Sequence, residues 1–164
     1  MSQERAREIE ELIATLPGMK RSWHNAPHDF SFVPQNEKIE FKYSAARCVP
    51  HPRAPLFSYS HDIGFTFQFL WSNIARREFQ WLLLSGEDEE RLYFWLLPER
   101  TARRLLSKSS GGSITFVPKN AVSRRRKAAI LDCYHITFEQ LRERCLKGDL
   151  TGSGSAKLNP TPLA

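Results

Sequence analysis

Cysteine, long apolar runs and internal repeats are all scarce or missing in this chain of 164 residues. The cysteines, Cys48, Cys133 and Cys145, are odd in number and lack the spacing of metal ligands. They argue against a disulfide framework and indicate a reducing compartment. No apolar run is long enough to cross a membrane, and the charged first residues do not resemble a secretory signal. We therefore expect a soluble, intracellular, cytoplasmic protein with no membrane partner.

Acidic residues are also in deficit, with 18 against 24 lysines and arginines, which gives a net charge of +6. A basic balance favours polyanionic partners, nucleic acid foremost. Eleven phenylalanines and four tryptophans argue against a disordered chain. We expect a single domain over residues 1–147, followed by a flexible C-terminal tail, residues 148–164, that is rich in glycine, serine and proline.

Two alternating runs, Asp29 to Val33 and Ile39 to Ser44, are separated by the turn-rich residues 34–37. Such runs predict a β-hairpin with a loop of about four residues. Alternation sends the apolar side chains to one face and the polar side chains to the other. The apolar set is Phe30, Phe32, Ile39, Phe41 and Tyr43, and the polar set is Asp29, Ser31, Glu40, Lys42 and Ser44.

The pairing of the two strands decides which polar groups meet. If Val33 pairs with Lys38 across the loop, Asp29 faces Lys42. The carboxylates of Asp29 and Glu40 then converge with an ammonium group on one side of the hairpin. Converging carboxylates repel each other unless a cation lies between them, and Mg²⁺ prefers such oxygen ligands. A lysine on the same face can hold or deprotonate an attacking water.

The spacing Asp29, ten residues, then Glu40-Phe41-Lys42 resembles the Asp…Glu-x-Lys motif of the PD-(D/E)xK nuclease superfamily, which includes many restriction and homing endonucleases. The family's Pro-Asp pair has one residue inserted here, as Pro27-His28-Asp29. The resemblance implies that Asp29 and Glu40 bind Mg²⁺, with Mn²⁺ as a substitute, and that Lys42 assists the attacking water. An ordinary solvated hairpin face, with Glu40 and Lys42 as a surface pair, is the alternative interpretation.

Four further residues are candidates for this site. In the family, the first helix often supplies an extra acid, and Glu8 lies at the edge of the apolar stripe of a predicted helix over residues 3–16. His28 and His24 flank the hairpin as auxiliary candidates. Gln68, in a predicted strand, could reach the site, because several branches of the family use a glutamine downstream of the lysine. Each of these residues has a plain structural alternative as a solvated or loop side chain.

The remaining chain predicts an α/β fold, with a restriction-endonuclease-like core in which helices flank a mixed central β-sheet. Lys20 to Ala26 is a predicted first strand anchored by Trp23, and the proline-broken residues 47–55 are a predicted loop. Nearly continuous apolar runs predict buried strands over residues 80–85 and 91–97. Helices are predicted from Pro98 to about Leu106 and from the capping box that begins at Thr137. Short strands are predicted over residues 113–117 and 130–135, and a helix over 71–79 is an alternative to a lost crossover helix.

Two basic segments are candidate nucleic-acid contacts. Arg47 and Arg53 lie in the proline-rich loop that follows the hairpin. Residues Arg124, Arg125, Arg126 and Lys127 form the densest positive run in the chain. Both segments are also compatible with an ordinary solvated surface.

Taken with the resemblance, these observations predict a Mg²⁺-dependent endonuclease that hydrolyses DNA phosphodiesters and leaves 3′-hydroxyl and 5′-phosphate ends. A homodimer would allow both strands of a duplex to be cut. The main rival is a non-catalytic nucleic-acid-binding module with a basic surface, and a protein-interaction domain is the third class. Metal dependence separates the first two classes, and salt dependence separates both from the third.

Overall fold

The computed structural model describes residues 2–23, 28–50, 61–68, 78–89, 91–107, 113–116, 131 and 133–152. The helices in this part of the chain are α1 (Ser2–Ala14), α2 (Glu99–Ser107) and α3 (Phe138–Leu146). The first strands are β1 (Met19–Arg21), β2 (Phe30–Phe32), β3 (Glu37–Ala45), β4 (Arg47–Pro50) and β5 (His61–Gln68). The later strands are β6 (Trp81–Glu87), β7 (Leu92–Pro98), β8 (Ser113–Phe116) and β9 (His135–Ile136).

A mixed sheet of six strands forms the centre of the fold, in the order β1-β2-β3-β6-β7-β9. The pairing of β3 with β6 is parallel, and the other pairings in this sheet are antiparallel. A smaller antiparallel sheet has the order β4-β5-β8. The chain changes sheets at Ala46, whose N–H donates to the Glu87 carbonyl at 2.7 Å before β4 begins one residue later.

One face of the central sheet packs against α1 and α3. Phe30, Phe32, Ile39 and Phe41 project to this face, as their alternation predicts, and all are buried. Ile9 and Ile13 of α1, and Leu141 and Cys145 of α3, cover them. The capping box predicted at Thr137 is confirmed, because Thr137 Oγ1 accepts from the Gln140 N–H and Gln140 Oε1 accepts from the Thr137 N–H.

The opposite face packs against α2 and the smaller sheet. Side chains from β6 and β7 meet Leu105 and Leu106 of α2 and Phe65 and Phe67 of β5 in a second core. Its central residues on β6 and β7 are Leu82, Leu84, Tyr93, Trp95 and Leu97. The predicted fold class, a mixed central sheet flanked by helices, is therefore confirmed. No helix in the described residues is long and apolar enough to span a membrane.

Three local predictions differ from the structure. Residues 47–50 form β4 instead of a loop. Pro50 is the last residue of the strand, where the loss of one backbone N–H donor disturbs the pairing least. The predicted strand over 130–135 differs in placement, because the described strand β9 consists of His135 and Ile136, which pair with β7. Trp23 does not anchor a strand: β1 ends at Arg21, and Trp23 is 73% exposed.

The packed chain extends beyond the predicted domain end at residue 147. Leu150 is fully buried in the core beneath α1 and α3. Its carbonyl accepts from Arg144 Nη1 at 3.1 Å, and its N–H donates to Gln35 Oε1 at 3.4 Å. Residues 153–164, most of the predicted tail, lie outside the described residues.

Gly86 sets how closely the smaller sheet approaches the central one. A Cβ atom built on Gly86 would lie 2.9 Å from ring carbons of Phe65, which is itself buried. No ordinary contact is that short, so the ring of Phe65 requires a residue without a side chain at this position of β6.

We expect Gly86→Ala to destabilise the fold by about 1–3 kcal/mol through overpacking. Alanine is otherwise the better residue within a strand, so a change of this sign reports the steric contact. Urea unfolding would show a lower midpoint with an unchanged slope. Combining Gly86→Ala with Phe65→Leu should recover part of the loss, and purely additive effects of the two substitutions would contradict the contact.

Candidate active site

The hairpin register differs from the predicted one by two residues. The chain turns through a 3₁₀ segment, Val33–Gln35, and Asn36 takes a left-handed conformation with φ of 51°. These residues form the loop, so Phe32 pairs with Glu37. A shift of two residues leaves every side chain on its predicted face. It does, however, move Asp29 from beside Lys42 to beside Glu40.

Asp29 is fixed to β3 by hydrogen bonds from both its backbone and its side chain. Its N–H donates to the Ile39 carbonyl at 3.0 Å, and its Oδ2 accepts from the Phe41 N–H at 2.8 Å. Phe41 lies between Glu40 and Lys42 in the sequence. The hydrogen bond therefore holds the carboxylate of Asp29 at the centre of the Glu-x-Lys segment, while Oδ1 is not used in this bond.

Glu40 and Lys42 project from β3 toward the side of the smaller sheet, opposite to Ile39 and Phe41. The Glu40 side chain is completely buried, whereas Lys42 and Asp29 are half-buried. Both Glu40 and Lys42 take part in polar or electrostatic contacts within the chain. Burial of a carboxylate is unfavourable unless a partner or a cation compensates for it, and glutamate is rarely buried completely.

His28 is buried beside this group. Its Nε2 lies 3.0 Å from Ser31 Oγ, on the same face of the hairpin as Asp29. Burial lowers the pKa of His28, and the positive charge of Lys38 lowers it further, against an opposing effect of Asp29. The imidazole is therefore held in its neutral form, which can accept or donate one hydrogen bond at each nitrogen according to its tautomer.

The structure places the Asp29 carboxylate against the β3 backbone between Glu40 and Lys42, but it does not bring Glu8 to this segment. Glu8 is exposed and accepts from Arg5 Nη1 at 2.5 Å on α1. Because α1 covers the opposite face of the central sheet, Glu8 lies on the other side of β3 from Glu40.

The remaining candidates are only partly described. Arg47 lies in β4 and Gln68 at the end of β5, and the structure gives their backbones alone. His24, Arg53 and the basic run of residues 124–127 lie outside the described residues, as do most of residues 71–79.

Two carboxylates are few for a metal site formed by protein alone. Among the residues that the structure describes, no group of three or more histidine, cysteine or acidic side chains is arranged to hold a metal ion. Mg²⁺ does not require such a group, because it keeps several waters and is commonly held by one or two carboxylates together with substrate phosphate. The donor set of Asp29 and Glu40 fits that manner of binding.

Comparison with known proteins gives structural similarity alone. No family model matches the chain, and no curated protein matches it. Among solved structures, the bacterial homing endonuclease I-Ssp6803I is 13% identical, with a TM-score of 0.48 over 89% of each chain. MepB is 12% identical, with a TM-score of 0.43 over 82% of this chain and 97% of its own. Similarity this low assigns no function to the chain.

Glu87, the last residue of β6, links three elements. Its carboxylate accepts from Arg5 Nε at 2.8 Å and Nη2 at 2.6 Å, and from the Tyr43 hydroxyl at 3.1 Å. The hydrogen bonds from Arg5, followed by that from Tyr43, lower the pKa of Glu87 against the effect of burial. Burial and the charge of Glu87 raise the pKa of Tyr43 to about 12. No local pattern relates Arg5 to Glu87, 82 residues apart, so the sequence held no signal for this contact.

We expect Glu87→Gln to lower the stability of the fold near neutral pH. A carboxyl group with a lowered pKa in the folded state stabilises the protein above its unfolded pKa, and this contribution disappears as the pH falls through the folded pKa. The stability difference between wild type and Glu87→Gln should therefore shrink between about pH 5 and pH 2.

The matched control is Glu8→Gln, which removes the exposed partner of Arg5 and leaves the Glu87 contacts intact. Urea unfolding at several pH values would measure both variants. A stability difference for Glu87→Gln that does not change with pH would contradict the ionic role of Glu87.

Proposed function

We propose that this chain is a metal-dependent nuclease that hydrolyses phosphodiester bonds of DNA at the site formed by Asp29, Glu40 and Lys42. The observation that carries the proposal is the hydrogen bond from the Phe41 N–H to Asp29 Oδ2. This bond supports the proposal because Phe41 is the central residue of the Glu-x-Lys segment, between Glu40 and Lys42.

The residues divide the chemistry between them. Asp29 and Glu40 would hold Mg²⁺, which when bound supplies positive charge against a phosphodiester and lowers the pKa of water. Asp29 is pre-positioned by its bond to the β3 backbone, so little side-chain entropy remains to be lost. Glu40 is buried in a region where the effective dielectric constant is low, and a low dielectric constant strengthens the attraction between its carboxylate and a cation.

Lys42 has a separate role from the carboxylates. Its half-buried side chain projects to the same face of β3 as Glu40, and in the proposal it is not a metal ligand. In the proposal, it orients the attacking water and stabilises negative charge that develops on the phosphate. The neutral His28 is hydrogen-bonded to Ser31 and lines the proposed site next to Asp29.

DNA as the substrate is supported by the net charge of +6 and by the chemistry of the site. The non-bridging oxygens of a phosphodiester carry its negative charge, so two carboxylates without a cation would repel the substrate. This requirement explains why the proposal predicts strict dependence on a divalent ion.

The test is cleavage of supercoiled plasmid with Mg²⁺, with Mn²⁺ and with chelator. We expect metal-dependent nicking by the wild type, since one site cuts one strand. Lys42→Met removes the ammonium and keeps the length of the side chain, and it should lower the cleavage rate by about 100-fold or more. Asp29→Asn keeps an oxygen that can accept from the Phe41 N–H, so it should abolish cleavage without unfolding the hairpin.

Glu8→Gln is the matched control for loss of a carboxylate, and it should cleave at the wild-type rate because Glu8 lies on the other side of the sheet. Full activity of Lys42→Met would remove Lys42 from the mechanism. If the wild-type protein binds DNA but does not cut it, whichever divalent ion is supplied, the binding-module interpretation would be established instead.

A further inference from the structure

A row of polar side chains crosses three strands beside the candidate active site. Lys20 on β1 pairs with Ser31 on β2, and Ser31 pairs with Lys38 on β3. Lys38, Glu40 and Lys42 alternate along β3 and therefore share one face. The row thus extends the face of the candidate active site toward the edge of the sheet, where Lys20 is exposed.

Trp23 lies at the same edge. The N–H of the preceding residue, Ser22, donates to the Asp29 carbonyl at 2.9 Å, which ties this segment to the start of β2. The indole makes an edge contact with the imidazole of His28, with ring centroids 6.3 Å apart and planes at 73°. His28 in turn contacts Ser31 in the polar row. Backbone and ring contacts therefore place Trp23 beside Asp29.

The indole remains 73% exposed despite these contacts. Val33 and Leu146 are the other exposed large apolar residues in the described chain, at 61% and 65%, and they lie in the hairpin loop and in α3. Trp23 thus contacts His28, which in turn contacts the polar row that carries Lys20 and Lys38. A protein-binding surface usually has an apolar centre of several residues. A single exposed aromatic ring next to a row of side chains that includes lysines is typical of surfaces that stack nucleobases and contact the adjoining phosphates.

We propose that Trp23 is a stacking platform for an unpaired DNA base adjacent to the bond that is cut, with Lys20 contacting a neighbouring phosphate. This inference rests on the proposed function and names its substrate class: DNA with an unpaired base, as in a single strand, a frayed end or a mismatch. A base within a continuous duplex is already stacked on its neighbours and would have to leave the helix to reach the indole.

Binding without divalent ions separates this inference from cleavage. The probe is a fluorescein-labelled single-stranded oligonucleotide, compared by anisotropy with a fully paired duplex of the same length, in chelator. We expect tighter binding of the single strand. Trp23→Ala should weaken that binding about tenfold, and Trp23→Phe, which keeps an aromatic face, should retain most of it.

Matched controls exist for both the apolar and the ionic contribution. Leu146→Ala removes an equally exposed apolar side chain elsewhere on the surface and should leave binding unchanged. Lys20→Ala should reduce the slope of log binding constant against log salt concentration by about the contribution of one phosphate contact. Trp23→Ala should weaken binding and leave this slope unchanged.

Wild-type binding that Trp23→Ala does not alter would overturn the platform and leave the proposed nuclease intact. Tight binding through Trp23 without cleavage in any divalent ion would overturn the nuclease and keep the platform. Failure of the wild type to bind either oligonucleotide would overturn both. Self-association that Trp23→Ala abolishes, measured by sedimentation, with no effect on oligonucleotide binding, would assign the indole to a second copy of the chain.

Discussion

The candidate site depends on one hydrogen bond, from the Phe41 N–H to the carboxylate of Asp29. Regular pairing between β2 and β3 stops at Phe30, and the side chain of Asp29 takes the next available backbone donor on β3. This contact fixes an acidic group against the segment that carries Glu40 and Lys42. The hydrogen bond alone is also compatible with an aspartate that only ends a strand by accepting from a backbone N–H. The complete burial of Glu40 is the second observation on which the proposed site rests.

The two cores explain how β3 can be apolar on one face and charged on the other. On the α1 side, Phe41 is buried among side chains of two helices, so its position along β3 is fixed by packing. On the other side, the smaller sheet approaches closely at Gly86, where the ring of Phe65 occupies the space of a side chain. The N–H of Thr66 donates to Ser44 Oγ at 3.2 Å on the face that carries Glu40 and Lys42. Packed elements thus lie on both sides of β3.

The alternation of Phe30, Phe32, Ile39 and Phe41 was sufficient to predict the faces of the hairpin, because a buried face imposes a period of two. The register was not predictable from alternation, since a shift of two residues satisfies the same pattern. The 3₁₀ turn and the left-handed conformation of Asn36 set the register between β2 and β3. Glu8 was placed by helical spacing alone, which does not reveal the sheet face that a helix covers. Trp23 was interpreted as the apolar anchor of a first strand, and nothing local to it signalled exposure.

The central claim is that Asp29 and Glu40 share a divalent ion, and Mn²⁺ titration followed by electron paramagnetic resonance tests it most directly. The measurement would be made with and without a short DNA duplex, because phosphate oxygens complete such sites. The account predicts one Mn²⁺ site per chain, from which Mg²⁺ displaces the Mn²⁺. Asp29→Asn and Glu40→Gln should each weaken Mn²⁺ binding strongly, and Glu8→Gln should leave it unchanged. Equal Mn²⁺ binding by the wild type, Asp29→Asn and Glu40→Gln, or no binding by the wild type even with DNA, would contradict it.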